Sequence, residues 1–432
     1  MSFTILHGNN LDILPTLPDN SVDSIVTDPP YELGFMGKKW DSSGIAYSVE
    51  LWTECLRVLK LGGHLLSFGG TRTFHRVAVA IEDAGFEIRD NIAWLYGSGF
   101  PKSLDVSKAI DKAAGAERER VPYVGGIASG QNNYGGGGKI HLGSKVGDKA
   151  STPEAQQWNG WGTALKPAHE PIIVARKPLI GTVAHNVLTH GTGALNIDGS
   201  RIGAESTQRK VAAGKGWTID TSNAVTKAGT YGSAKGRWPA NIILDEHTAG
   251  LLDEQSGVSK SPATYVRNKG TLEGERVAYA NIEESAGAES LNYGDSGGAS
   301  RFFYVAKASK RDRNEGLEVL NSVAVGTYVG NIKKQGNKIG ARPDVPNLEA
   351  KNFHPTVKPT ALMEYLVKLV TPPNGTVLDP FTGSGSTGKA AILNGFDFIG
   401  IEMTEDYLPI IEARLKHAET EFAEVQTDKG LF

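Results

Sequence analysis

The sequence has very little cysteine and no long apolar segment. Its single cysteine, Cys55, excludes an internal disulfide and a cysteine-rich zinc cluster. Because Cys55 lies in the apolar stretch L-W-T-E-C-L-R-V-L, we expect a packed, inert thiol. No run of about 18 apolar residues occurs, and the start M-S-F-T-I-L-H lacks the features of a secretion signal. We therefore expect a cytoplasmic protein with no membrane partner.

The chain also lacks a strong excess of charge of either sign. It has 45 basic and 48 acidic residues in 432, a net charge of −3, so the total gives no sign of nucleic-acid binding. The distribution is uneven: residues 201–237 carry seven basic and two acidic side chains, and residues 301–360 carry eleven and five. The basic middle can follow a phosphate backbone, although ordinary solvated surface explains either segment alone.

Strand-like and helix-like stretches alternate over the first hundred residues, beginning with F-T-I-L-H and V-D-S-I-V-T, which predicts a parallel α/β sheet. Strand character returns at E-P-I-I-V-A-R-K-P, and the α/β pattern resumes at residue 360. Between these parts, glycine clusters over residues 115–165 predict a mobile loop. Residues 181–300 are rich in Gly, Ser and Asn, which indicates an irregular insertion.

Residues 25–31, I-V-T-D-P-P-Y, place polar chemistry at the end of an apolar strand, where open α/β sheets bind ligands. Pro29 and Pro30 stiffen the backbone and remove donors, so that Asp28 lies beside the outward carbonyl of Pro29. These two acceptors can hold both hydrogens of an amino group, and Tyr31 can stack on the base that carries it. The alternative is a proline-stiffened turn with a packed tyrosine.

Residues 377–390, V-L-D-P-F-T-G-S-G-S-T-G-K-A, run from a strand through a glycine loop into a helix. Gly383 and Gly385 permit close approach to a nucleotide-like ligand, and Asp379 can bind a cationic or hydroxylated part of it. Glu402 ends the next strand, from which an acid can reach ribose hydroxyls. The loop nearly matches a phosphate-binding P-loop, but Ala390 replaces the hydroxyl that holds Mg²⁺, which argues against an NTPase.

The two motifs together resemble those of the permuted β-class DNA amino-methyltransferases, in which the catalytic motif precedes a target-recognition region and the cofactor motif comes last. The likeness covers about residues 1–110 and 350–420, and H-P-T-V-K-P at 354–359 is similar to a third family motif. It implies a Rossmann-like methyltransferase sheet with helices on both faces and S-adenosylmethionine (SAM) as cofactor, without a metal. Double-stranded DNA is the implied partner.

The resemblance also implies roles for particular residues. The catalytic set is Asp28, Pro29, Pro30 and Tyr31, and the cofactor-binding set is Asn9, Asp28, His354, Thr356, Lys358, Pro359, Asp379, Pro380, Phe381, Gly383, Ser384, Gly385, Thr387 and Glu402. Relatives commonly have an acid where this chain has Asn9, whose amide accepts a hydrogen bond but supplies no charge. The strings at 99–111 and 161–171 also resemble family members but carry no assigned role. In the basic segment, Arg301, Lys307, Lys310 and Arg311 are candidate DNA contacts.

This reading divides the chain into six regions. They are the catalytic half of the α/β domain at 1–114, the glycine-rich loop at 115–165, a return strand at 166–180, the target-recognition region at 181–300, a basic connection at 301–352 and the cofactor-binding half at 353–432. We expect methyl transfer to the N6 amino group of a flipped adenine, in a bacterial or phage-infected cell. The N4 amino group of cytosine, an RNA or protein glutamine substrate, a catalytically silent DNA-binding protein and a homodimer stay open.

Overall fold

A central sheet of nine strands organises the computed structural model. The structure describes residues 1–34, 39–99, 101, 103–122, 146–203, 236–261, 295–309, 311–325 and 348–428, with the short segments 209–211, 214–215, 225–226, 229–231, 264–266 and 289–291. The sheet strands are β1 (Phe3–His7), β2 (Val22–Thr27), β3 (Leu59–Phe68), β4 (Glu87–Leu95), β5 (His169–Arg176), β6 (Ile242–Asp245), β7 (Tyr304–Ala306), β8 (Thr376–Asp379) and β9 (Asp397–Glu402).

The strand order is β1-β9-β8-β2-β3-β5-β4-β6-β7. The five strands from β1 to β3 are all parallel, and β5 is antiparallel to β3. Glu87, the first residue of β4, pairs with Arg176, the last of β5, so β4 runs against β5 and in the direction of β2. Strands β6 and β7 are parallel to β4. The carboxyl ends of eight strands therefore lie at one edge, which confirms the predicted α/β fold.

Helices cover both faces of this sheet. The described helices are α1 (Asn10–Ile13), α2 (Val49–Val58), α3 (Phe74–Asp83), α4 (Val106–Ala113), α5 (Pro153–Gln157), α6 (Val183–His190), α7 (Glu246–Ser256), α8 (Arg311–Asn314), α9 (Thr360–Val370), α10 (Ser386–Leu393) and α11 (Leu408–Asp428). Successive residues of β2 face opposite sides of the sheet. Val26 packs with the core under α9, α10 and α11, and Ile25 packs with the core under α2 and α3. The second core also buries Cys55, as its apolar context predicts.

Short helices and strands complete the described structure. Single 3₁₀ turns occur at Leu14–Thr16, Lys39–Ser42, Ile45–Tyr47, Asp198–Ser200, Ala299–Phe302 and Glu405–Tyr407. The minor strands are Glu119–Pro122, Val146–Lys149, Arg209–Val211, Gly214–Lys215, Val225–Thr226, Gly229–Tyr231, Ser259–Lys260, Thr264–Val266, Glu289–Leu291, Ser296–Gly297, Val323–Val325 and Leu348–Ala350. Within the described ranges, no helix is both long enough and apolar enough to cross a bilayer.

The chain divides into two compact units, residues 1–95 with 170–432, and residues 96–169. The second unit contains α4, α5 and an antiparallel pair of strands, Glu119–Pro122 with Val146–Lys149. Part of the predicted loop at 115–165 is therefore regular structure, and residues 123–145 lie outside the described residues. Asp111 anchors this region: its buried carboxylate accepts hydrogen bonds from the backbone of Ser151 and Thr152. A polar anchor of this kind cannot be predicted from hydrophobic periodicity.

The predicted insertion at 181–300 also differs in part from expectation, because it contains β6 and α7. Strand β6 is only four residues long, but Ile243 and Leu244 are buried between β4 and β7. A short apolar run without flanking periodicity does not by itself predict a strand, because an isolated apolar patch has the same pattern. Large parts of the remainder, including residues 267–288, lie outside the described residues.

Two helical glycines test the packing of the first unit. A methyl group on Gly388 of α10 would lie 2.6 Å from the buried Phe398 ring, whereas a methyl group on Gly250 of α7 would meet nothing within 4 Å. We expect Gly388→Ala to lower the free energy of unfolding by about 1–3 kcal/mol through overpacking. The control, Gly250→Ala, should raise it by about 0.5–1 kcal/mol through helix propensity. Urea unfolding measures both, and equal effects would contradict the packing described here.

Candidate active site at the carboxyl edge of the sheet

Three carboxylates lie at neighbouring strand ends on the carboxyl edge of the sheet. Asp28 directly follows β2, Asp379 ends β8 and Glu402 ends β9. Because β2, β8 and β9 are adjacent and parallel, residues far apart in sequence meet there. The edge thus brings the D-P-P-Y sequence and the glycine loop together, as the two motifs predict.

Asp28 belongs to a buried cluster of charged and polar groups centred on Lys358. The Lys358 ammonium lies 2.7 Å from Asp28 Oδ2 and 3.3 Å from Glu170 Oε2. It also donates to the Tyr31 hydroxyl at 3.1 Å and lies 4.7 Å from the centre of the Phe68 ring. Burial opposes the charge on Lys358, but the carboxylates of Asp28 and Glu170 raise its pKa above the ordinary value.

The second oxygen of Asp28 lacks a partner. Asp28 Oδ1 is buried and has no hydrogen-bond partner among the described residues. A buried carboxylate oxygen without a donor costs free energy, so such groups are typical of sites that bind a ligand. Pro29 beside it is buried and has no N–H to donate. Asp28 Oδ1 is therefore a free acceptor, and the neighbouring Pro29 nitrogen cannot serve as its donor.

Tyr31 is fixed at both ends. Its hydroxyl donates to Glu170 Oε2 at 2.8 Å, and its backbone carbonyl accepts from Thr73 Oγ1 at 2.8 Å. Burial and the nearby carboxylates of Asp28 and Glu170 raise the pKa of Tyr31 well above 10, so the phenol stays neutral and can donate. An anchored aromatic ring beside a free acceptor suits the stacking of a planar ligand.

The glycine loop after β8 is shaped by left-handed backbone at Gly383 (φ 55°) and Gly385 (φ 77°). A side chain at Gly383 would approach His354 Nε2 to 3.0 Å, so this position requires glycine. Gly383 N–H donates to Glu402 Oε2 at 2.8 Å, while Thr404 N–H donates to the other oxygen. Glu402 thereby ties the loop to the end of β9, and burial raises its pKa.

Asp379 is the most strongly desolvated acid of the loop. Its Oδ1 accepts hydrogen bonds from the Thr27 hydroxyl at 2.6 Å and the Phe381 N–H at 3.0 Å. Burial outweighs these bonds, to which Thr387 adds another, and raises the pKa of Asp379 to about 6. A buried carboxylate with a raised pKa would be stabilised by a cationic ligand bound beside it.

The H-P-T-V-K-P segment packs against the glycine loop. His354 Nδ1 lies 2.5 Å from the Thr356 carbonyl oxygen, and the His354 ring packs edge-on against Tyr407. Burial lowers the pKa of His354 to about 4, so the imidazole is neutral at pH 7. The segment also carries Lys358 into the Asp28 cluster, and Pro359 precedes α9. The structure thus brings together the three motifs that the sequence singles out.

Several other predicted cofactor residues occupy the same loop: Pro380, Phe381, Ser384, Gly385 and Thr387 follow Asp379 directly, and Ser384 and Thr387 are buried. Asn9, by contrast, is exposed, and its side chain caps α1 by accepting from Leu11 N–H at 3.1 Å. The neighbouring Asn10 is buried and donates to the Pro380 carbonyl at 3.4 Å. In this structure Asn10, rather than Asn9, contacts the loop.

Three residues that contact the candidate site are not predicted from the sequence. Glu170 lies in the string W-G-T-A-L-K-P-A-H-E-P, which gave a resemblance without a role, and only the antiparallel course of β5 brings it to Asp28. Arg313 donates to the His354 carbonyl at 2.9 Å. Buried Arg414 of α11 donates to the carbonyl of Ser384 in the loop. Both arginines bond to backbone carbonyls, which leave no signature in sequence.

The predicted DNA contacts fall into two groups. Arg301 is committed within the protein: its guanidinium donates to the Gly297 and Gly298 carbonyls and to Ser259, and its side chain is 14% exposed. Lys307 is exposed and follows the carboxyl end of β7, on the edge that carries Asp28. Arg311 is 78% exposed and pairs with Glu315. Lys310 lies outside the described residues.

The raised pKa of Asp379 predicts that the free energy of unfolding depends on pH. The folded-state value of about 6 exceeds the unfolded value of about 3.9, so the fold favours the protonated acid. The stabilisation is present below pH 4 and is lost as the pH rises through 6. We expect wild-type protein to lose on the order of 3 kcal/mol of stability relative to Asp379→Asn between pH 4 and pH 8. Urea unfolding across this range checks it, and a pH-independent difference would count against a desolvated carboxylate.

Comparison with known proteins shows the relationships of the chain. The sequence profile of the N6/N4 methylase family, described as "DNA methylase", matches residues 22–413. The Type II methyltransferase M2.LlaDCHI of Lactococcus lactis is 43% identical over 28% of this chain and 39% of its own length. The Type II methyltransferase M.HindIII of Haemophilus influenzae is 32% identical over 34% of this chain and 38% of its own length. The chain thus matches well under half of each relative.

Solved structures give a weaker comparison. The PvuII DNA methyltransferase, which is named as cytosine-N4-specific, aligns over 99% of this chain and 92% of its own with 13% identity and a TM-score of 0.41. The family profile spans both the D-P-P-Y cluster and the glycine loop, the two parts that the sheet brings to one edge. The chain therefore belongs to the N6/N4 DNA methylase family.

Proposed function

We propose that this chain is a SAM-dependent DNA methyltransferase that acts on the exocyclic amino group of a base turned out of the duplex, with N6 of adenine as the favoured target. The observation that carries the proposal is Asp28 Oδ1, a buried acceptor without a partner, beside the buried Pro29 and the anchored Tyr31. An amino group has the two hydrogens that such a pair of acceptors can take.

The residues of the glycine loop fit SAM. Glycines 383 and 385 allow close backbone approach, Glu402 lies at the end of β9, from which a carboxylate can reach ribose hydroxyls, and Asp379 offers a buried carboxylate to a cationic group. When bound, SAM supplies an electrophilic methyl group on a sulfonium. Asp28, Glu170 and Lys358 together carry a net charge of −1, which complements that positive charge.

The chain's own groups then position the amino nitrogen. Its lone pair is delocalised into the base ring and is a weak nucleophile. Hydrogen bonds from the amino group to Asp28 Oδ1 and to the Pro29 carbonyl favour a pyramidal nitrogen with a localised pair. The Tyr31 ring offsets part of the few kcal/mol of stacking lost when the base leaves the duplex. As the nitrogen is methylated it releases a proton, which the Asp28 carboxylate that holds the amino group can accept.

Cytosine N4 is the second candidate, because the matching family includes both N6 and N4 enzymes. The same two acceptors serve either amino group. Mass spectrometry of nucleosides from DNA methylated by the purified protein separates the two, and methylation sequencing of DNA from expressing cells reports the target site. Methylated RNA or protein with unmodified DNA would overturn the proposal.

Asp28→Ala tests the catalytic role. We expect kcat to fall about 100- to 1,000-fold, because the amino group loses its carboxylate acceptor, while SAM binding by calorimetry weakens much less, because the contacts of the glycine loop remain. The matched control is Asp23→Ala, which removes a buried acid from β2 that pairs with Lys60 at 2.6 Å. This control should lower stability and leave kcat within a few-fold of wild type. An active Asp28→Ala enzyme would remove the basis of the proposal.

Lys307 and Arg311, both exposed on the segment that follows β7, are the proposed phosphate contacts. Replacing Lys307 and Arg311 with Ala should weaken DNA binding and reduce the slope of log K against log salt by about 2, because each phosphate contact contributes about 0.9. Arg301→Gln is the control, and since Arg301 bonds within the protein, it should change stability more than the salt slope. Fluorescence anisotropy at several salt concentrations measures this. An unaltered slope in the double variant would return both residues to ordinary surface.

A further inference from the structure

Glu170 lies in the Asp28 cluster although it comes from a strand of opposite direction. It is the second residue of β5, and because β5 is antiparallel to β3, the beginning of β5 lies at the edge where β2 ends. Its side chain is 19% exposed, and one oxygen, Oε2, contacts both the Tyr31 hydroxyl at 2.8 Å and the Lys358 ammonium at 3.3 Å. No part of the D-P-P-Y, glycine-loop or H-P-T-V-K-P motifs includes it.

The Lys358 ammonium is shared between two carboxylates, and this has an electrostatic consequence. If Asp28 were its only counter-ion, the full positive charge would act on the oxygens that must accept from the amino group. The negative charge of a second carboxylate offsets part of the positive potential at Asp28, since Coulomb interactions are strong in a buried site. Glu170 also accepts from the Tyr31 hydroxyl, which fixes the ring beside Asp28 Oδ1.

We propose that Glu170 is a positioning residue for methyl transfer: it shares the Lys358 ammonium with Asp28 and anchors Tyr31, so that Asp28 Oδ1 stays available as an undiminished acceptor. The proposal rests on the proposed function. Glu170 acts through Lys358 and Tyr31 and does not itself touch the reacting atoms.

Glu170→Gln removes the charge and keeps an oxygen that can accept from Tyr31. We expect kcat to fall about 10- to 100-fold while KM for DNA and for SAM stays within about 3-fold, since the loss affects the transition state more than binding. In a Lys358→Met background the same change should lower kcat less than about 3-fold, because the shared cation is gone. Glu170→Asp retracts the charge by one methylene group and should give an intermediate loss. It serves as the test if the Gln variant does not fold.

The matched control is Glu87→Gln, at the first residue of β4. Glu87 pairs with Arg176, the last residue of β5, at 2.5 Å, so the control removes a more exposed ion pair from the opposite edge of the sheet and should leave kcat unchanged. A Glu170→Gln enzyme with wild-type kcat, a loss confined to KM, or an undiminished loss in the Lys358→Met background would each overturn the positioning role. Wild-type protein without methylation activity would instead refute the proposed function, which keeps the two failures distinct.

Discussion

The ion cluster around the buried ammonium of Lys358 is the interaction on which the candidate active site depends. It joins Asp28 after β2, Glu170 at the beginning of β5 and the segment that leads into α9. An unpaired ammonium in this environment would be strongly destabilising, so the fold requires the two carboxylates as its counter-ions. Because the ammonium satisfies Asp28 Oδ2, only Oδ1 is left without a partner. The ion cluster therefore determines which oxygen of Asp28 is free to accept a hydrogen bond from a ligand.

Two further buried cations, Arg414 and Lys389, lie at the glycine loop and in the helix that follows it. Arg414 donates to Ser384 in the loop and to the Asp312 carbonyl of α8, and burial lowers its pKa to about 10. Lys389 of α10 pairs with Glu315 at 2.7 Å. That lysine is the one a P-loop would direct at phosphate, and here a carboxylate occupies it. The pairing agrees with the argument from Ala390 against an NTPase.

The site is also held at a cost in stability. Asp379 and Glu402 are buried acids whose pKa values are raised by desolvation, and His354 is a partly buried imidazole whose pKa desolvation lowers to about 4. Such groups destabilise the folded protein and are typical of positions kept for binding or catalysis. The sheet tolerates them because apolar cores on both of its faces, under α2 and α3 and under α9 to α11, stabilise the strands that carry them.

Sequence alone determined the parts of this protein that depend on local patterns. Alternating apolar stretches predicted the α/β sheet, an apolar context predicted the buried Cys55, and prolines and glycines at strand ends marked Asp28 and the loop after Asp379. These features are legible because strand periodicity, proline stiffness and glycine freedom act within a few residues. The family follows from the same motifs.

Only the tertiary structure decided which distant groups meet. The antiparallel direction of β5 places Glu170 beside Lys358, a polar anchor at Asp111 orders part of the glycine-rich region, and neighbouring strands recruit β6 into the sheet. Arg301 and Arg414 bond to backbone carbonyls, whose positions no residue pattern encodes. Contacts of this kind depend on strand direction and on the path of the chain through space, which a pattern of residue types within a short stretch of sequence does not specify.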